Sequence, residues 1–220
     1  MRRYEMLYLD HDHVPAARAA IAPATALFES AFSAFARGTL IKTVQGSCAI
    51  EDLQPGTLVE TEEFGPQPMV WRGMMNIIPN AVPEHAEQAQ LTRVMAGTFG
   101  MGRPATDLVL GPAARMPRRD GVGDLTPVSR FADGDSVFQT SPPSPVQVFH
   151  LCLPIQATIY ANDLPLVSYH PQPELSETLG PQMMRLFLSL FPHIETLLDF
   201  GPALQRGRAQ TMRSAESAVI

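Results

Sequence analysis

From Thr39 to about residue 165 the apolar residues fall into short β-prone runs, separated by turns rich in glycine and proline. Strand candidates are Thr39–Val44, Thr57–Thr61, Pro68–Gly73, Gln90–Met95, Asp107–Leu110, Val146–Leu153 and Ala157–Tyr160, with Tyr4–Leu9 as an earlier one. Gln45-Gly46-Ser47, the run Glu51–Gly56, and Gly65-Pro66 read as turns. Two stretches depart from this texture. The alanine-rich segment Ala16–Ala36 favours helix, limited by Pro23, and predicts a helix over about Thr25–Phe35 that ends near Arg37-Gly38. Met183, Phe187, Leu190, Phe191, Ile194, Leu197 and Leu198 recur at helical spacing, with Pro181 suited to a first turn and Pro192 placed to kink or divide the stretch. The expectation is an all-β, horseshoe or barrel-like body with a short N-terminal helical segment and C-terminal helices. Its parts are an extension over residues 1–30, a β domain over 31–170, a helical segment over 171–202 packed on it, and a tail over 203–220.

Composition sharpens this picture only in places. With 220 residues, 45% of them hydrophobic, the chain is long enough to bury a real core. A net charge of −6 gives no electrostatic case for nucleic acid. Cys48 and Cys152 are too few for a disulfide scaffold and are expected to be reduced. The apolar stretch after Met1-Arg2-Arg3 is soon broken by Asp10, His11, Asp12 and His13, which makes a poor signal peptide, and no apolar run reaches membrane-spanning length. A cytoplasmic location without membrane contact is the expectation. No metal and no cofactor are expected: Asp10–His13 reads as a solvated turn rather than a zinc or copper site, and Gly97–Gly102 lacks the Gly-Lys-Ser/Thr arrangement that holds phosphate.

Several segments carry a resemblance in chain order. They are Phe35–Ile41, Ala49–Gly56, Gly65–Gly73, Arg93–Gly97, Gly102–Leu108, Phe149-His150-Leu151 and Ile159–Pro165. Together they resemble bacterial Hint domains of the hedgehog/intein superfamily over roughly residues 30–170. The resemblance implies a twisted, horseshoe-like β fold. It also implies an activity: a cysteine at the first residue of the domain attacks the preceding carbonyl, assisted by a Thr/Ser-x-x-His element. That step needs a nucleophile, a base and donors for the developing oxyanion.

The resemblance places the nucleophile at Ala34, the hydroxyl at Gly111 and the histidine at Ala114; Gln156, with Pro154, stands where an Asp-x-His pair is common. None of these side chains supplies the expected chemistry, so no catalytic residue is expected among these vestigial positions. Ser33, one residue early, would attack a different bond. His150, Cys48 and Asp107 are the polar groups of a possible residual site. His150 is read first as a buried histidine bonded to backbone, and an expected orientation of His150 and Cys152 to opposite sides of a strand counts against a dyad. Asp107 is read as structural. The leading expectation is a non-catalytic Hint-like protein, an interaction or regulatory module for an unknown protein partner, with a homodimer as the default assembly. The alternatives are an autoprocessing protein or hydrolase with rearranged residues, and a small-ligand binding module in the vacated cleft.

Overall fold

The computed structural model describes residues 1–79, 89–117, 125–172 and 175–204. Strands β1 (Arg2–Leu9) and β2 (Pro15–Ala22) form an antiparallel hairpin, in register from Arg2 opposite Ala22 to Leu9 opposite Pro15. Asp10 builds its turn, accepting the Asp12 and Val14 N–H groups at 2.9 and 2.8 Å. Tyr4 and Met6 point to the core while Arg3 and Glu5 point outward, the alternation that a half-covered strand requires.

The helix expected over Thr25–Phe35 is corrected. Residues Ala16–Ala22 are strand, and α1 is confined to Ala26–Glu29. Alanine's helix preference is weak per residue, and continuous pairing with β1 outweighs it. Helix is also impossible at Phe35, because β3 (Phe35–Ala36) lies between two strands, with Phe35 opposite Leu110 on one side and Phe149 on the other.

The remaining strands are β4 (Leu40–Thr43), β5 (Gly46–Ala49), β6 (Leu58–Val59), β7 (Gln67–Pro68), β8 (Trp71–Ile77), β9 (Leu91–Val94), β10 (Leu108–Leu110), β11 (Arg115–Pro117), β12 (Leu125–Pro127), β13 (Val137–Thr140), β14 (Val146–Cys152), β15 (Thr158–Ala161) and β16 (Leu164–Val167). One sheet runs β13-β9-β10-β3-β14-β8-β1-β2 and a second runs β16-β15-β4-β6-β7, with β5 paired to β4 and a separate β11-β12 ribbon. The body is thus mostly β and open: among the described residues the end strands do not pair with one another, so the barrel option falls away in favour of two sheets. The turn expected at Gln45–Ser47 lies one residue earlier, at Val44-Gln45, because Gly46 already pairs with Thr43. Asn162 and Asp163 both take positive φ, 47° and 63°, and close the β15–β16 hairpin.

Two hydrophobic clusters fill the molecule. The first lies between the sheets and gathers Ala34, Phe35, Ile41, Leu110, Ala114, Phe149, Leu151 and Ile159. The second lies on the other face of the eight-stranded sheet, under α2 (Leu175–Thr178), α3 (Pro181–Leu188) and the 3-10 turn Leu197–Phe200. Pro181 opens α3, where a missing N–H costs nothing, and the helix has ended before Pro192. Phe191 is the hub: its ring meets Trp71 at 4.7 Å, Phe200 at 4.8 Å, Phe187 at 5.2 Å and Tyr169 at 5.6 Å. The buried Trp71 Nε1–H donates to the Leu190 carbonyl at 2.9 Å, which satisfies the one polar atom the indole brings inside. Among the described residues no helix is long and apolar enough to cross a membrane.

Candidate functional site

Of the four positions read as vestigial, Ala34, Gly111 and Ala114 converge and Gln156 lies apart from them. Ala34 leads into β3, Gly111 directly follows β10, and these strands are neighbours; the backbone N–H of Gly111 donates to the Ala34 carbonyl at 2.9 Å. Ala114 closes the same turn, its N–H donating to the Gly111 carbonyl at 3.1 Å. Both alanines belong to the inter-sheet core, Ala34 fully buried and Ala114 nearly so.

At the centre is the Ser33–Ala34 peptide. Its carbonyl accepts the Ala113 N–H at 3.0 Å, and its N–H donates to the Phe149 carbonyl at 2.9 Å. The Ser33 carbonyl rests directly against Gly111: a Cβ added there would lie 2.0 Å from that oxygen and 2.7 Å from its carbon. Both sides of this contact are backbone, so no side-chain rotation relieves it. Glycine is therefore required at 111 by close approach, and the space a Ser or Thr side chain would occupy is taken by the peptide itself.

Ser33 does not replace the missing nucleophile. Its buried hydroxyl donates to the Glu29 carbonyl at 2.8 Å, closing the end of α1. A serine becomes nucleophilic only when an adjacent base takes its proton, and a carbonyl oxygen is no such base.

His150 lies on β14, buried, with its Nδ1 facing the N–H of Leu151 at 3.1 Å. Its ring packs edge-on to Phe35 and Tyr169, each at 5.4 Å between centroids. Burial, and secondarily the nearby Arg115 cation, push its pKa down to about 3, so the imidazole is neutral at physiological pH. The expected opposite orientation of His150 and Cys152 is corrected. Positions two apart on a strand share a face, and both residues here adjoin Tyr169. The outcome for a dyad is nevertheless unfavourable on other grounds: burial pushes the Cys152 thiol well up, away from the reactive thiolate.

Cys48 sits on β5 opposite Ile41, and its thiol lies 3.6 Å from the Ala49 carbonyl. Partial burial, with Asp52 next, raises its pKa; Arg72 and Glu51 are the other charges it feels, and His150 is not among them. Both cysteines are free. Asp107 accepts from Arg93 Nη2 at 2.8 Å and from the Ala96 N–H at 3.0 Å, and these bonds hold its carboxyl below the usual range. It ties the end of β9 to the loop before β10. His150, Cys48 and Asp107 therefore occupy three different settings and do not form one site.

Gln156 has a use that sequence reasoning missed. Its amide Nε2 donates to the Ser168 carbonyl at 3.3 Å, its Oε1 accepts the Leu204 N–H at 3.0 Å, and its own N–H donates to the Pro202 carbonyl at 3.1 Å. The residue at this position holds residues 202–204 against the β14–β15 connection. No local pattern signals that, since Pro202 and Leu204 are more than forty residues away. Among the described residues no three His, Cys, Asp or Glu side chains gather as a metal site, and Asp10–His13 is the hairpin turn.

The chain is similar over part of its length to several solved structures. Similar solved structures include a bacterial intein-like domain from Clostridium thermocellum, at 15% identity and a TM-score of 0.46, covering 62% of this chain and 99% of that one. The gp41-1 intein is 12% identical, with a TM-score of 0.42, covering 63% and 98%. The TvoVMA intein is 11% identical, with a TM-score of 0.42, covering 62% and 97%. Among curated proteins no match is found. The sequence profile of the Hint domain matches residues 33–173, more than half of the chain, and begins at Ser33, beside the peptide described above. The chain belongs to the Hint domain family.

Proposed function

We propose that this chain is a Hint-domain protein that does not cleave itself and acts as a non-catalytic interaction or regulatory module. One observation carries the reading. The peptide that self-cleavage would break, Ser33–Ala34, is bonded on both sides and packed against Gly111, with a methyl group where the nucleophile would stand. Self-cleavage transfers an acyl group from nitrogen to a side-chain sulfur or oxygen, and Ala34 has neither. The Ala113 N–H still points at the Ser33 carbonyl, so an oxyanion donor is present, but a donor without a nucleophile performs no step.

A binding role in the vacated cleft fits the geometry less well. Ala34 and Ala114 are core residues, and the grooves of about 470 and 430 Å³ on the surface are lined by other residues. The partner remains a protein of unspecified identity, or a second copy of the chain. The test is intact mass spectrometry of the purified full chain, incubated with and without a thiol. Unchanged mass is expected; a backbone cut or thiol adduct at residues 33–35 would overturn the proposal.

A further inference from the structure

Away from the vestigial positions, the face shared by β1, β2 and β8 carries a groove of about 430 Å³ in which four arginines and only two carboxylates take part. Two of the arginines are already matched, Arg3 with Glu5 at 3.1 Å and Arg37 with Glu51 at 3.5 Å. Arg72 is different. It is 8% exposed, and its Nη1 donates to the Ile50 and Leu53 carbonyls at 2.7 and 2.9 Å. Its remaining guanidinium nitrogens have no acceptor among the described residues, and no carboxylate is in ion-pair contact with it. Asp52 and Glu51 support its charge only from a distance, against the cost of burial. None of the Arg72 nitrogens is both buried and unpaired, so the open donors reach the groove and offer an arginine fork to an anion there.

Part of the wall beside Arg72 is apolar, alongside the polar Glu5, Glu51 and Gln147. Its guanidinium lies 5.5 Å from the centre of the Phe149 ring, and Met74, two residues along β8, lies on the same face. The planar fork of an arginine matches a carboxylate, and the adjoining ring and thioether suit a hydrocarbon body rather than a small hydrated ion. The geometry points to a binding site for a small organic carboxylate with an apolar body, its carboxylate on Arg72 and its body against Met74 and Phe149. This site is independent of whether the chain cleaves itself.

The test titrates the full chain with hexanoate, acetate and inorganic phosphate, following backbone amide shifts of Leu7, Gly73 and Met74 by NMR. Hexanoate is expected to give saturable shifts and to bind at least about tenfold more tightly than either small anion. Met74→Glu, which leaves the Arg72 carbonyl bonds alone, is expected to weaken hexanoate at least about tenfold with the fold retained. Arg72→Lys should weaken it as well, and Met74→Glu decides the matter where that variant does not fold. No saturable hexanoate shift, equal response to phosphate or acetate, or wild-type affinity in Met74→Glu would each overturn the assignment.

Discussion

Two regions of the eight-stranded sheet handle polar groups in opposite ways. At Ala34, Gly111 and Ala114 the side chains are methyls and hydrogen, and backbone closes the space with its own hydrogen bonds. Around Arg72 a full guanidinium is buried, two of its bonds go to backbone carbonyls, and the rest of its donors face a groove. The first region is satisfied internally, while the second keeps donors open to its groove. The difference teaches where to look for chemistry: the position a family resemblance highlights is here the quietest part of the fold, and the unspent polar capacity lies elsewhere.

The comparison is broken most severely at Gly111. Gly111→Thr returns the kind of side chain the resemblance expects, yet drives a Cβ into the Ser33 carbonyl. A loss of about 3 kcal/mol or more is predicted in urea unfolding, because the obstacle is backbone on both sides. A stable Gly111→Thr protein would mean that the peptide is free to move aside.

Acidification gives the next largest effect. The unfolded chain protonates a histidine near pH 6.5, whereas folded His150 takes a proton only near pH 3. The unfolded state therefore binds more protons in between, and stability that is full above pH 6.5 is lost as the pH falls toward 3. His193, pushed by burial to about 4, acts in the same direction. Each histidine adds a slope of roughly 1.4 kcal/mol per pH unit within its window, so His150 alone accounts for about 2 kcal/mol between pH 6.5 and 5. Denaturation series at several pH values check this, and His150→Phe should flatten the acid limb by that amount. An unchanged slope in His150→Phe would show that this ring titrates normally.

The smallest effect is expected on the open side. Arg18 lines the groove, is exposed, and has no ion-pair partner among the described residues. Arg18→Ala should change stability by less than about 0.5 kcal/mol, measured by the same unfolding assay. A larger loss would mean that the groove is part of the folding core rather than a surface.

The strand runs after Gly38 were legible because glycine and proline punctuate them, and α3 because Met183 and Phe187 keep helical spacing, whereas Leu190, Phe191 and Ile194, read in the same helical pattern, lie beyond its end and pack as a non-helical segment. The N-terminal hairpin was not, since Ala16–Ala22 has helix-forming composition and becomes strand only through its pairing with Arg2–Leu9. At the candidate site the residue types could be read directly, and Ala34, Gly111 and Ala114 are what they are at any level of description. The contact that explains Gly111 could not, because it joins residues seventy-eight apart in numbering, Ser33 and Gly111, through a carbonyl that no side-chain pattern records. The same holds for Gln156 and Leu204, and for the unmatched donors of Arg72, which depend on where the Ile50 and Leu53 carbonyls fall.

The central claim is that self-cleavage is blocked by the architecture of the site and not merely by one missing sulfur. Ala34→Cys tests it most directly, since it returns the nucleophile alone and leaves Gly111 and Ala114 in place. Intact mass after prolonged incubation with thiol should show a single, uncut species carrying only the mass of the substitution. Fragments separated between residues 33 and 34, with the thiol attached to the N-terminal piece, would contradict the account.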